Sequence, residues 1–479
     1  MTQENKKKRW PLHLAAFCCL LLAMLWYLSG LFWNRTGTAM PFYAEEENTI
    51  DVLYLGSSKA NAAVAPMQMY EQYGFTGYVM YSWSQPVWTA YYYLEDALRS
   101  QSPRVVVLEG NDLLYGRRDA EYTDAMNAVN NQNGLLTPHL LTRLRLMLAM
   151  RRCQTDHPPL TQGLSIGRYH ANWKTLTAQD WLWPWWQPEL STGKGYGPLY
   201  THTPQPEPEA RLAPPDDDIY PACMEYLQRC IDLSQKEDFS LVLVLYPDAQ
   251  LTQEDRSRLA YLSEYCAARQ VPVYDFTLPE VSAAAGLDYA VDMGDYSHVN
   301  YLGAQKLTAY LAGRLAADFS LPDHRGDPAY AVWETCLQKE QFDAHTMAIR
   351  LCAELGDLLE LGRSSDYITL VCAHGDMTAA DASSLRTLFR SYGLPETIFD
   401  ETEAGRVWVW QNGSFTETER FTLELEHTVC AVPDSLLVDG EEAGFGREGI
   451  SVYVLSAEDG TLLHGITWAT EHGYTAYTH

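Results

Sequence analysis

Basic residues are scarce in this chain: 34 lysines and arginines stand against 62 aspartates and glutamates, a formal net charge of −28. A nucleic-acid binder needs a basic face to neutralise phosphates, so that class is excluded and no nucleic-acid partner is expected. Acidity of this size keeps a domain soluble, and it also suits a domain beside an anionic envelope or a polycation. There is no Gly-rich phosphate cradle and no P-loop lysine, which sets aside nucleotide and phosphoryl chemistry. The ten cysteines show no Cys-x-x-Cys pair and no His–Cys spacing of the zinc type, so neither a metal nor a cofactor is expected. Repeats and low-complexity tracts are missing as well. With 47% hydrophobic residues over 479 positions, disorder as a whole is excluded and two or three domains are expected.

The basic residues that exist are unevenly placed. Lys6-Lys-Lys-Arg9 directly precedes an uncharged run from Trp10 to Trp33. As a helix that run extends about 36 Å, enough to cross a bilayer. The basic cluster (1–9) would stay cytoplasmic, making 10–33 a single-pass anchor and placing the bulk of the chain outside the cell membrane. The rival reading is a cleaved signal peptide, with Thr36-Gly-Thr-Ala39 as a weak site. Cys18 and Cys19 lie inside the run. The other eight cysteines read as buried thiols, although an export compartment permits disulfides that spacing cannot pair.

Beyond the anchor, apolar strand candidates alternate with helical patterns. The strands are Asp51–Leu55, Gly77–Tyr81, Arg104–Glu109, Ser240–Tyr246 and Val271–Phe276, and the helices are Pro66–Tyr73, Val87–Ser100, Gln253–Arg269 and Asn300–Phe319. Near-continuous apolar strands between helices indicate a parallel sheet covered on both faces. The expected fold is α/β, a flavodoxin-like doubly wound sheet over 48–320, with ligands at the carboxyl ends of its strands. An insertion at about 115–220 separates the third strand from the fourth. It carries a helical stretch (Leu135–Arg152), a Trp-rich segment (Trp173–Trp186) and two Pro-rich stretches, 204–209 and 214–218, that read as an exposed linker. It is expected to cap the site. Trp181, Trp183, Trp185 and Trp186 suit stacking on sugar rings, resting on a membrane surface, or forming a small core of their own. From about 330 to 479 a separate α+β module is expected. It has a long helical pattern at Thr335–Leu361, another at Ala379–Tyr392, and strands at Asp366–Ala373, Arg406–Gln411, Phe421–Glu426, Ser435–Val438 and Gly449–Leu455.

Two short segments carry chemistry. Gly56-Ser57-Ser58 follows the first strand, and Asp295-Tyr-Ser-His298 precedes the last helix of the α/β region. Acyl transfer through serine needs a nucleophile, a base, a carboxylate to orient the base, and an oxyanion hole. Ser58, His298 and Asp295 fit the first three roles. The bland alternatives are a serine capping a helix and an ordinary loop histidine. Lys59 and Ala60 after Ser58 break the Gly-x-Ser-x-Gly elbow, which argues against the α/β-hydrolase fold.

In order and spacing, these residues resemble the SGNH (GDSL-like) hydrolase family. Gly56-Ser57-Ser58 stands where that family has Gly-Asp-Ser, Asp295-Tyr-Ser-His298 matches its Asp-x-x-His block, and Asn111-Asp112 matches the end of its Gly-x-Asn-Asp block. Glu109 replaces the glycine of the last block. The resemblance implies an oxyanion hole from Ser58, Asn111 and a backbone amide near Ser84, in Tyr81-Ser-Trp-Ser-Gln-Pro86. Asp51-Val-Leu-Tyr-Leu-Gly-Ser-Ser58, Tyr91-Tyr-Tyr-Leu94, Pro103–Glu109 and Asp292–Ala304 look like membrane-anchored SGNH proteins of bacterial envelopes, among them proteins of alginate acetylation and teichoic-acid D-alanylation. That implies a serine esterase or O-acyltransferase acting on a cell-surface glycan, with a membrane-bound O-acyltransferase as a possible partner. The alternative is a non-catalytic glycan-binding or scaffolding protein with a degenerate site. Residues 365–470 resemble the interleukin-like EMT-inducer (GG) domain, on the run Leu437–Gly460 and on Asp366–Asp376, which implies a carbohydrate-binding accessory role or a structural appendage.

Overall fold

The computed structural model describes residues 3–32, 39–114, 137–153, 170–178, 180–185, 187–208, 214–375, 383–395, 405–411, 413–444, 448–469 and 473–477. It divides into two compact units, Met1–Gln338 and Lys339–His479.

The first unit opens with helix α1 (Gln3–Leu31). A five-stranded parallel sheet follows, built from β1 (Val52–Gly56), β2 (Gly77–Tyr81), β3 (Val105–Glu109), β4 (Ser240–Leu245) and β5 (Val273–Asp275), in spatial order β2-β1-β3-β4-β5. That is the flavodoxin-like order. Each strand is apolar on both faces because both are covered. Leu53, Leu55, Leu108 and Leu243 face α4 (Val87–Ala97), α5 (Leu140–Cys153), α6 (Pro221–Glu237) and α7 (Gln253–Ala267). Val52, Tyr54, Val107 and Val244 face α2 (Ser58–Ala63), α3 (Pro66–Tyr73) and α8 (Tyr301–Asp318). Period-two alternation thus sends successive residues of one strand into opposite cores. Helix α6, ahead of β4, has no counterpart among the helices expected from the sequence.

The insertion is expected from the sequence to cap the site; among its described residues none lines the cavity at the carboxyl end of the sheet. Leu146, Met147 and Met150 of α5 are buried against α4 and α6, so its apolar face belongs to the main core. The chain near 194 joins the edge of the sheet, where the Val79 amide donates to the Lys194 carbonyl at 2.9 Å. The first Pro-rich stretch is exposed but tied down: the amides of Thr203 and Gln205 donate to the carbonyls of Met293 and Tyr289. Trp186 lies outside the described residues. Trp181, Trp183 and Trp185 build no core of their own, since no side chain of the turn Asp180–Trp185 is buried.

The second unit is α+β. A six-stranded antiparallel sheet runs in the order Gly473–Tyr477, Leu462–Ala469, Gly449–Ser456, Tyr367–His374, Arg406–Gln411, Ser414–Thr418. Tyr367, Val371 and Ala373 face Leu355, Leu358, Leu359 and Phe389 of the unit's helices. Ile368, Leu370 and Cys372 face Val429, Ala431 and Leu436 of a smaller sheet. The helical stretch expected at Thr335–Leu361 is two helices, Ala331–Leu351 and Leu355–Leu361, broken where Glu354 takes extended backbone (φ −112°, ψ 134°). Among the described residues, five strands of this unit have no forerunner in the sequence reading: Ser414–Thr418, Thr428–Val432, Glu441–Glu442, Leu462–Ala469 and Gly473–Tyr477.

Candidate active site

β1 ends at Gly56, and the chain turns at once into α2. Ser57 caps that helix, its Oγ accepting from the Lys59 amide at 3.3 Å, and Ser58 is the first helical residue. The capping role open to either serine falls to Ser57, which leaves Ser58 to point elsewhere. Ser58 Oγ lies 2.8 Å from His298 Nε2. On the far side of the ring, His298 Nδ1 is 2.9 and 3.0 Å from the two oxygens of Asp295. The neutral tautomer with its hydrogen on Nδ1 donates to Asp295 and leaves Nε2 as acceptor for the serine hydroxyl.

Local contacts shape the histidine loop. Asp295 Oδ1 accepts from the amides of Ser297 (2.7 Å) and His298 (2.9 Å), and the His298 carbonyl accepts from Gly294 at 2.9 Å. Partial burial alone would raise the Asp295 pKa. The Ser297 amide, the imidazole beside it and the His298 hydrogen bonds outweigh burial and hold it below the ordinary carboxylate value.

A buried carboxylate holds the serine turn. Glu109, at the carboxyl end of β3, accepts from the Ser57 amide (2.7 Å, Oε2) and the Ser57 hydroxyl (2.8 Å, Oε1). Only 3% of Glu109 is exposed. Burial pushes its pKa up, against the opposing pull of Lys59 and of the two Ser57 hydrogen bonds. A Cβ at position 56 would stand 2.4 Å from Glu109 Oε2 and 2.8 Å from the Ala60 Cβ, so the turn closes only over glycine. Lys59 pairs with Asp248; burial alone would lower its pKa, but Asp248, Glu109 and Asp112 raise it and keep it cationic.

Ser84 and Asn111 line the same cavity as Ser58 and His298. Ser84 has φ +50°, a left-handed conformation uncommon outside glycine. Strain of this kind costs on the order of 1–3 kcal/mol and gathers at functional sites. The Asn111 side chain is locked to the end of β4: its Oδ1 accepts from the Tyr246 amide (2.8 Å) and its Nδ2 donates to the Tyr246 carbonyl (3.1 Å). One of its two amide hydrogens is committed there.

The cavity holds about 620 Å³, within the range of small-molecule sites. Its wall is strongly polar, with Asp112, Asp248, Glu254 and Asp255 set against Lys59 and Arg258. Sequence reasoning passed over Glu109 as a structural element, and also Lys59, Asp248 and Arg258. A charge closing the apolar run Val105-Val-Val-Leu108 was the available signal for Glu109. Among the described residues, no three His, Cys, Asp or Glu side chains form a metal-binding group.

No family model matches this chain, and no curated protein matches it. Among solved structures it is similar to a protein described as lipolytic and of the G-D-S-L family, from Desulfitobacterium hafniense DCB-2. That match has 10% identity and a TM-score of 0.29 over 56% of this chain and 99% of the other. It is also similar to a protein described as an acylhydrolase from Bacteroides fragilis NCTC 9343, at 9% identity and a TM-score of 0.28 over 58% of this chain and 93% of the other.

Proposed function

We propose that this chain is an extracytoplasmic serine esterase or O-acyltransferase acting on acyl esters of a cell-surface polysaccharide. One observation carries the reading: the unbroken hydrogen-bond relay from Ser58 through His298 to Asp295, at the carboxyl edge of a parallel sheet. Ser58 Oγ attacks the acyl carbonyl as its proton passes to His298 Nε2, and Asp295 stabilises the imidazolium. The tetrahedral oxyanion is met by the amides of Ser58 and Ser84 and by the Asn111 side chain. Collapse expels the alcohol, which takes the proton from His298, and leaves acyl-Ser58. Water or a glycan hydroxyl then gives its proton to His298 and attacks the ester; as the acyl–Oγ bond breaks, His298 returns the proton to Ser58 Oγ, and a carboxylic acid or a new glycan ester is released. A membrane-bound O-acyltransferase is the partner that would supply activated acyl groups. The second unit is read as a glycan-binding accessory module.

The test is labelling of the full-length protein with a fluorophosphonate serine probe. The wild type is expected to react, and Ser58→Ala and His298→Ala to lose labelling. A folded wild type that takes no label, or a Ser58→Ala variant that labels normally, rules the reading out.

A further inference from the structure

The Trp-rich turn does not sit at the catalytic edge. It packs on the end of α1. The most apolar stretch of that helix, within Trp10–Leu31, has a mean hydropathy of 2.1, and only 11% of it is buried by the rest of the chain. The 22 residues Trp10–Leu31 extend about 33 Å, close to the thickness of a bilayer core. Where the helix crosses a membrane, its last turns lie at the water interface.

Trp183 docks on those last turns. Its Nε1 donates to the Tyr27 carbonyl at 3.0 Å, and its ring centroid lies 4.6 Å from that of Trp26. The Tyr27 hydroxyl returns a bond to the Trp181 carbonyl at 2.9 Å, and Asn172 Nδ2 donates to the Phe32 carbonyl at 3.3 Å. Gly30 makes room for the ring: a Cβ there would fall 2.1 Å from Trp183 Cε2. The turn is therefore fixed at the depth of residues 27–32. The side chains it does not use on α1 are large, apolar and exposed: Trp173 (63%), Trp181 (52%), Leu182 (59%) and Trp185 (76%). Indole rings with one apolar face and one N–H partition to the headgroup layer.

We infer that residues 173–178 and 180–185 form a membrane-surface platform, with Trp173, Trp181, Leu182 and Trp185 seated in the headgroup layer of the bilayer that α1 crosses. This rests on reading α1 as a membrane span. The platform gives the α/β unit a second attachment beside the helix, so the unit stands on the membrane rather than swinging from a tether.

The experiment uses the full-length protein reconstituted in phosphatidylcholine vesicles, with acyl chains brominated near the headgroup as tryptophan quenchers. Wild type is compared with the triple variant Trp173→Phe, Trp181→Phe, Trp185→Phe, whose changes are exposed and should leave Tm unaltered. The lipid-quenched part of the emission is expected to fall clearly in the triple variant. Equal lipid-quenched emission in both proteins, with both floating with the vesicles, overturns the platform while leaving the anchor intact. A wild type that does not float with the vesicles overturns the anchor and the platform together. Loss of lipid quenching on adding soluble glycan fragments would assign these rings to sugar, and also overturns the proposal.

Discussion

The two sides of the candidate site are held by opposite means. His298 sits in a loop that organises itself: Asp295, three residues earlier, orients the ring and accepts both amides of the turn, while 43% of its own side chain stays exposed. Ser58 sits on a turn held from outside, by a Glu109 that is 52 residues away in sequence and almost wholly buried. A local, solvated carboxylate can be lost at modest structural cost, because water replaces what it gave. A buried one cannot, because its partners lose their only acceptor. Chemistry should therefore be most sensitive on the histidine side, and folding on the serine side.

The largest effect should come from Asp295→Asn. The retained oxygen still accepts the loop amides, but the new NH₂ faces Nδ1 and reverses the tautomer, so Nε2 no longer accepts the Ser58 proton. Turnover should fall by roughly 10²–10⁴-fold with little change in Tm; a large fall in Tm would show that the histidine loop is not self-sufficient. Glu109→Gln is the converse. Its single oxygen cannot accept from both the Ser57 amide and the Ser57 hydroxyl, so one buried donor loses its acceptor, which should cost roughly 1–3 kcal/mol, read as a fall in Tm. Unchanged stability would break the comparison. Gly56→Ala crowds the same carboxylate and should cost about 1–3 kcal/mol through overpacking, in the same Tm assay.

The smallest effect, and the sharpest discriminator, is pH. Asp295 has a folded pKa below its unfolded value, so its contribution is present above the unfolded value and fades as pH falls through the folded one. Its exposure keeps that contribution small. Glu109 has a folded pKa above its unfolded value, so its contribution is full below the unfolded value and is lost as pH rises through the folded one. In a series of Tm against pH, Asp295→Asn should flatten the acid limb, and Glu109→Gln should flatten the decline above the ordinary glutamate range. Identical pH profiles for the two variants would refute the distinction.

Legibility followed the same divide. The five parallel strands were readable because burial on both faces demands unbroken apolar runs such as Val52–Leu55 and Val105–Leu108. Much of the antiparallel unit was not: Ser414–Thr418 is solvated and polar, and nothing in its composition separates it from a loop. The Asp295–His298 pair was readable because both residues lie in one short turn. The docking of Trp183 on α1 was not, since its partner is 156 residues away.

Composition and local pattern were enough to determine an acidic chain with an apolar N-terminal helix, a doubly wound sheet, and a serine and a histidine at its carboxyl edge. These follow from properties that one segment carries by itself: period, length and charge. The tertiary structure alone decided that Glu109 clamps the serine turn, that Asn111 is locked to Tyr246, and that Trp183 docks on α1. Each of those depends on desolvation and contact between distant segments, and a side chain's partner across such a distance is set only when the core packs.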